Sequence, residues 1–285
     1  MTMQDKTVVI TGGNVGIGLE TAVGLAEQGA QVIITSRDAG RGQAAVEEIR
    51  DRAGSDGNVD VMVLDLGSLA SVGEFAAEFG RRHDQLDVLI NNAGAVFLHR
   101  ELTTDGFERT FGVNHLGHFM LTHLLLDQLR AAPAARVINV SSHAHKSAKE
   151  GLDFDDLQAE RKYKPFLVYG RSKLANLYFT RELARRLVAT SITTNAVHPG
   201  AVRSRFGRDG DLGAAMGFGI TIAGLFWISA EKGARTSIYL ASSPDVGDAT
   251  GGYYFKCKPA AVSQVAEDDD AAARLWTVSE ELVAS

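Results

Sequence analysis

The sequence predicts an α/β fold, a doubly wound parallel sheet with helices on both faces, built as a single domain over residues 1–285. Three observations lead to it. Short continuous apolar runs rich in Val and Ile recur along the chain, as strands buried on both faces require. Segments of helical period lie between them, which is the βαβ rhythm that sets successive strands parallel. No Pro-rich or Ser-rich linker and no short internal repeat interrupts the series.

TVVIT from Thr7 reads as the first strand, and the Gly-rich TGGNVGIG, Thr11 to Gly18, follows it at once and opens a helix. QVIIT from Gln31 and VDVMVL from Val59 supply the second and third strands. Leu69, Val72, Phe75, Ala76 and Phe79 then trace one face of a helix. DVLIN from Asp87, ARVINVS from Ala135 and TTNAVH from Thr193 give three more strands, with another near Tyr254. The helix before TTNAVH carries Tyr169 and Lys173, and Leu183, Ala184 and Leu187 continue its apolar stripe. The acidic run Glu267 to Asp270 suits a helix N-terminus, so a C-terminal helix over about 270–284 is expected to pack Leu275, Trp276, Val278 and Leu282 on the body.

Bulk properties exclude several classes. With 29 basic and 35 acidic residues the formal charge is −6, which gives no footprint for nucleic acid. One cysteine, Cys257, rules out an internal disulfide and any multi-cysteine metal site, and fits a reducing cytoplasm. Strand-like sequence from Thr7 leaves no expected room for a signal peptide or N-terminal anchor. Leu212 to Ala230 lacks charge and reaches the length of a membrane span, but it holds four glycines and lies between strands of one sheet. An apolar lid over residues 201–230, covering a greasy substrate site, is the expectation, with an interfacial membrane contact second and no membrane span.

Glycines after a first strand permit a tight turn and let backbone N–H groups approach a pyrophosphate at a helix N-terminus. The spacing of Gly12, Gly16 and Gly18 departs from GxGxxG, so the match is to the Rossmann type of turn rather than to that string. At the end of the second strand, ITSRDAGR puts Ser36 where a ribose-binding carboxylate would sit, followed by Arg37. An arginine there suits a 2′-phosphate, so NADP(H) is favoured over NAD(H). Asp38 reads as a helix cap.

Tyr169 and Lys173, four apart in YGRSK, share one helix face. A free phenol with a pKa near ~10 is idle at neutral pH. A cation about 4 Å away would stabilise the phenolate by roughly 4 kcal/mol, about three pKa units, and bring the tyrosine into working range.

TGGNVGIG, Asp65 after the third strand, NNAG at Asn91 to Gly94, VNHLGHF with Asn114, NVSS with Ser142, YGRSK and HPG at His198 to Gly200 stand in the order seen in short-chain dehydrogenases/reductases. The resemblance runs from about Thr7 to Phe255, and details such as SKLANLYFTRELARRL and the closing LWTVSEELV resemble the retinol-dehydrogenase-like branch. It implies a tetrad. Tyr169 would be the general acid/base, Lys173 would lower its pKa and bind the nicotinamide ribose, Ser142 (Ser141 as fallback) would polarise the carbonyl, and Asn114 would hold a water linking Lys173 to solvent. The cofactor would meet Gly12, Asn14, Gly16, Ile17 and Gly18, then Ser36 and Arg37. It would reach Asp65 and Leu66 at the adenine, Asn91, Ala93 and Gly94 at the nicotinamide, and Pro199, Gly200, Val202 and Ser204 beyond it.

The gap from Ser142 to Tyr169 is long, and residues 143–168 are expected to form an exposed flap at the pocket edge. His115, His118 and His123 on one helix lack a carboxylate or cysteine at ligand spacing, so they read as polar helix-face residues and no metal site is expected. The resulting expectation is an NADP(H)-dependent oxidoreductase of a lipophilic alcohol or carbonyl substrate. A non-catalytic NADP(H)-sensing regulatory protein and a reductase of carbon–carbon double bonds are the alternatives, and the resemblance implies a homodimer or homotetramer.

Overall fold

The computed structural model describes residues 3–54, 58–202 and 228–284. Its sheet has eight strands in the order β3-β2-β1-β4-β5-β6-β7-β8. These are β1 (Thr7–Ile10), β2 (Gln31–Ser36), β3 (Val59–Val63), β4 (Val88–Asn91), β5 (Arg136–Val140), β6 (Thr193–His198), β7 (Tyr253–Phe255) and β8 (Lys258–Pro259). The first seven pair in parallel and β8 turns back antiparallel on β7. The chain runs outward from β1 to β3 and then restarts on the other side of β1 with β4. A crevice opens above the carboxyl ends of those two strands, where open α/β sheets bind ligands.

Helices cover both faces: α1 (Gly16–Ala26), α2 (Ala39–Ala53), α3 (Leu69–Arg82), α4 (Arg109–Phe111), α5 (Gly117–Leu124), α6 (Leu126–Ala131), α7 (Pro165–Arg186), α8 (Ala230–Ser242) and α9 (Asp269–Ala284). Side chains alternate along each strand, so two cores form. Val8, Ile10, Val32, Ile34, Ile90 and Ile138 meet α1, α2 and α8, whereas Val9, Ile33, Leu89 and Val137 meet α3, α5 and α7. Each fully buried Val, Leu or Ile contributes about 1.5–3 kcal/mol, which is why the apolar runs could be seen as strands. Arg136 joins the first core's rim to the sheet, donating at 2.8 Å to the carbonyls of both Leu240 and Ser243 at the end of α8.

The expected C-terminal helix is α9. Trp276 packs edge-on to Phe119 of α5 at 5.1 Å and lies beneath the Arg186 guanidinium. The segment 143–168, expected as an exposed flap, mixes exposed residues with others packed on the body. Its Leu152, Phe154 and Leu157 pack on a third apolar cluster with α7 and the C-terminal residues, and Tyr163 donates to the Phe97 carbonyl at 2.8 Å. Arg100 Nε and the Glu108 amide also hold Gln158. Leu152 and Leu157, with Phe111 and Val168, line a small cavity at this contact. The lid expected over 201–230 lies outside the described residues except at its ends. No helix among the described residues is long and apolar enough to cross a membrane.

Candidate active site

The loops after β1 and β4 are stitched together at the crevice. Thr11, fully buried, accepts the backbone N–H groups of Asn92 and Ala93 on its hydroxyl, both at 2.9 Å. Asn92 Nδ2 donates back to the Thr11 carbonyl at 2.8 Å. The turn between them depends on its glycines. Gly12 and Gly16 take φ of +62° and +57°, the left-handed region that a side chain disfavours. A Cβ on Gly18 would strike the Gly12 carbonyl and come within 2.7 Å of Asn92 Nδ2, so only glycine lets α1 begin against the turn. No side chain caps the start of α1 at Val15. Uncapped first-turn amides are what a phosphate anion satisfies, so this turn fits a dinucleotide diphosphate.

Other expected cofactor positions gather around it. The Ile17 and Val202 side chains and the Pro199 carbonyl all lie close beside Gly233 in the first turn of α8. Gly12 lies against Ala93, and Gly94 lies against Lys173 Nζ and Asn114 Oδ1. Asn14 is partly exposed within the turn, and Gly200, at φ +97°, follows β6. Asp65 and Leu66 follow β3 at the same sheet edge, although the Asp65 carboxylate accepts the Gly67 amide and Leu66 is buried. Ser204 lies outside the described residues.

Two expected positions point elsewhere. Asn91 is buried beneath the crevice, and its Nδ2 donates to Thr122 Oγ1 and Asn139 Oδ1, so its side chain serves the core. Asn92, which the motif also contains, is the one that ties the turn. Ser36 donates its hydroxyl to the Asp38 carbonyl at 2.8 Å, closing a local turn. Asp38 caps α2 through the Arg41 amide at 2.7 Å, as expected, which leaves exposed Arg37 beside a strand end without a ribose carboxylate.

On the other side of the crevice, β5 delivers Ser141 and Ser142 toward α7. Ser141 donates to the Lys173 carbonyl at 2.8 Å and is buried, so it fastens strand to helix. Ser142 is the serine that reaches Tyr169, and it also caps the short helix His143–Ser147 through the Ala144 amide. That helix lies directly on α7 because residue 170 is glycine. A Cβ there would strike Ser147 Oγ and lie 2.7 Å from the Ala144 carbonyl.

The electrostatics correct the expectation. Burial pushes the Tyr169 phenol up to about 12, and the Ser142 hydrogen bond only partly opposes it. Lys173 Nζ donates to the Val140 carbonyl at 2.9 Å and lies 5.7 Å from the Tyr169 ring centre. Burial lowers its own ammonium to about 8. Desolvation is the largest influence on the phenol and favours its protonated form.

Asn114 sits in a widened π turn, Gly112–Leu116, ahead of α5. It is fully buried; Oδ1 accepts the Ala95 amide at 2.8 Å, and Nδ2 donates to the Ala95 carbonyl and Ser172 hydroxyl, both at 2.9 Å. The neighbouring histidines are not a solvated face. His115 and His118 are buried and His123 is half-buried, and burial depresses their imidazoles, the first two to about 3. His145, also buried, bonds the Ser142 carbonyl at 2.7 Å. No cluster of three or more His, Cys, Asp or Glu among the described residues could hold a metal.

A family model described as short chain dehydrogenase matches residues 6–153. Human retinol dehydrogenase 13 is 43% identical over 286 residues, 99% of this chain and 86% of that protein. A crystal structure of an uncharacterized protein from Mycobacterium paratuberculosis superposes with a TM-score of 0.79 at 38% identity, covering 100% of this chain and 95% of the other. The Pseudomonas aeruginosa RhlG/NADP active-site complex superposes at 0.68 with 29% identity, covering 88% and 94%.

Proposed function

The chain belongs to the short-chain dehydrogenase/reductase family, in its retinol-dehydrogenase-like branch, and is a nicotinamide-dependent oxidoreductase of alcohol and carbonyl groups; from that premise we propose that it uses NADP(H) to reduce the carbonyl of a lipophilic small molecule. The observation that carries the reading is the Ser142–Tyr169 contact beside the buried Lys173 amine, facing the glycine turn across the crevice. The cofactor, when bound, supplies the hydride. Every other requirement falls on residues of this chain.

As the carbonyl carbon gains hydride, its oxygen gains charge and must be met by donors already in place. Ser142 donates a hydrogen bond to that oxygen. Tyr169 transfers its phenolic proton to it, and the phenolate left behind takes a proton back by way of Lys173. A phenol raised to about 12 is protonated in the neutral range, the state from which it can donate, while the supply of reduced cofactor sets the direction of turnover. Lys173, about 8, is cationic at pH 7 and offsets the phenolate as it forms. Asn114 fixes the loop bearing Ala95 against Ser172, and a water on its Oδ1 would complete the path from Lys173 to solvent.

Arg37, at a strand end that offers Ser36 in place of a carboxylate, supports a 2′-phosphate. A relative named for retinol, an apolar alcohol, supports a lipophilic substrate. We assign the reducing cytoplasm as the compartment and a homodimer or homotetramer as the assembly, the latter on family grounds alone. The test is titration with NADPH and NADH followed by an absorbance screen over aliphatic, aromatic, steroid and retinoid carbonyls. NADPH binding with turnover that Tyr169→Phe abolishes supports the assignment. Binding without turnover favours a sensor, product reduced at a carbon–carbon bond favours the alternative reductase, and turnover surviving in Tyr169→Phe removes the proton donor named here.

A further inference from the structure

His118 lies between the two halves of the crevice, and its bonding is fully determined. Its Nε2 is 2.8 Å from Thr11 Oγ1 and its Nδ1 is 3.2 Å from the Asn114 carbonyl. Thr11 Oγ1 accepts the Ala93 N–H and a share of the Asn92 N–H, which also reaches the Ile90 carbonyl at 2.9 Å, so its lone pairs face these amides. The hydroxyl proton must therefore point outward, and Nε2 at 2.8 Å is nearer than the Ile90 carbonyl at 3.4 Å. Nε2 is then an acceptor. The Asn114 carbonyl can only accept, so Nδ1 carries the proton. The ring is neutral: burial, with Lys173 nearby, depresses the imidazole to about 3. Its own backbone is fixed as well, since Thr122 donates to the His118 carbonyl and Asn91 donates to Thr122.

We propose that His118 is a positioning residue that couples the cofactor turn at Thr11 to the π turn at Asn114, holding both through one imidazole locked as the Nδ1–H tautomer. The role rests on the oxidoreductase reading above, because it is cofactor affinity on one side and the surroundings of Lys173 on the other that the ring links. Thr11 fixes the Asn92 and Ala93 amides of the loop that lies against the glycine turn. Asn114 holds Ala95 and Ser172, and its Oδ1 and the Lys173 amine both lie against Gly94. A ring bridging the two makes them settle together, and an apolar residue of the same size would leave a buried hydroxyl proton and a buried carbonyl without this partner.

Two substitutions divide the bridge. His118→Gln extends an amide oxygen to the Nε2 position and keeps the Thr11 bond while losing the donor to Asn114. His118→Asn places an N–H near the Nδ1 position and does the reverse. One lost hydrogen bond corresponds to a change on the order of tenfold. His118→Gln should keep the NADPH Kd within about twofold and lower kcat about tenfold, whereas His118→Asn should raise Kd about tenfold and keep kcat within about threefold. His118→Leu should lose both. Identical behaviour of the Gln and Asn variants, or constants unchanged in all three, overturns the coupling.

The 15N imidazole spectrum of the wild-type protein at pH 7 provides the arm that needs no variant to fold. A protonated Nδ1 with a bare Nε2 is expected, and the opposite tautomer or an imidazolium refutes the assignment. NADPH affinity and this spectrum are read without turnover. A wild-type protein that binds NADPH and reduces no carbonyl therefore defeats the proposed activity while the His118 bridge is still judged on its own data.

Discussion

Replacing Lys173 by methionine should stabilise the cofactor-free protein while abolishing its chemistry. Lys173 is 2% exposed, donates to the Val140 carbonyl, and experiences burial without any offsetting carboxylate. Its ammonium falls from 10.5 to about 8. At about 1.4 kcal/mol per pH unit, the folded protein at pH 7 carries a penalty of roughly 3 kcal/mol at this residue. Below pH 8 the lysine is charged in both the folded and unfolded states and the full penalty applies. Between about 8 and 10.5 the folded state releases its proton first, the unfolded chain binds more protons, and wild-type stability from this group rises with pH. Methionine removes the charge and keeps the unbranched stem, at the loss of one hydrogen bond of about 1 kcal/mol. The Val140 carbonyl keeps its second donor, Asn176 Nδ2 at 3.2 Å. The net gain at pH 7 is about 1–2 kcal/mol, or roughly 2–6 °C in Tm for a chain of this size. Thermal unfolding of both proteins at pH 7 and pH 10, followed by circular dichroism, measures it; the gap should open at pH 7 and narrow at pH 10, and turnover should vanish. A variant that melts below wild type at pH 7, or a gap independent of pH, would refute the reasoning.

Gly18→Ala forces a Cβ into the Gly12 carbonyl, which should cost about 1–3 kcal/mol and weaken NADPH binding; a wild-type Tm and Kd would show that the turn yields freely. Gly73→Ala in α3 meets nothing within 4 Å and should stabilise by about 0.5–1 kcal/mol without touching affinity, a control that fails if its Tm drops. Arg37→Ala should weaken NADPH far more than NADH in parallel titrations, and equal losses would remove its 2′-phosphate role. Arg136→Ala leaves the Leu240 and Ser243 carbonyls without their donor and should lower stability by about 2–3 kcal/mol in urea melts with kcat unchanged; a neutral result would mean that water replaces the guanidinium.

Much of the fold was legible because parallel strands buried on both faces cannot disguise their composition. TVVI, QVIITS and RVINV are strands within a residue of where the apolar runs place them. Asp38 was readable as a cap because capping is local. Less local features were not. The two-residue β8 has no run to display. The π turn at Gly112–Leu116 looks like any helix in sequence. Asn91 and Asn92 are neighbours whose opposite orientations depend on β4's register, and a pattern of side chains alone does not separate them. His118 resembles a surface histidine until Thr11, 107 residues away, is brought against it. The four-residue spacing of Tyr169 and Lys173 predicted a shared face correctly, but the depth of burial that governs both pKa values belongs to the packed molecule. Gly170 left a signal, a glycine inside a long helix, that pointed to a close neighbour.

The docking of α9 on α5 has a temporal side. The turn at Thr11 to Gly18 and the strands that frame it are made early, and its hydrogen-bond partners Thr35, Ile90, Asn92, Ala93 and His118 are synthesised before the middle of the chain, although Val202 and Gly233 beside Ile17 come later. The outer side of α5 waits much longer. His115 bonds Ser279 Oγ at 2.8 Å, and Phe119 meets the Trp276 ring, so both lack their cover until the ribosome has passed those positions. Since α5 continues directly from the turn that carries Asn114, the nascent chain acquires the framework of its nucleotide seat well before the wall of its proton path is braced.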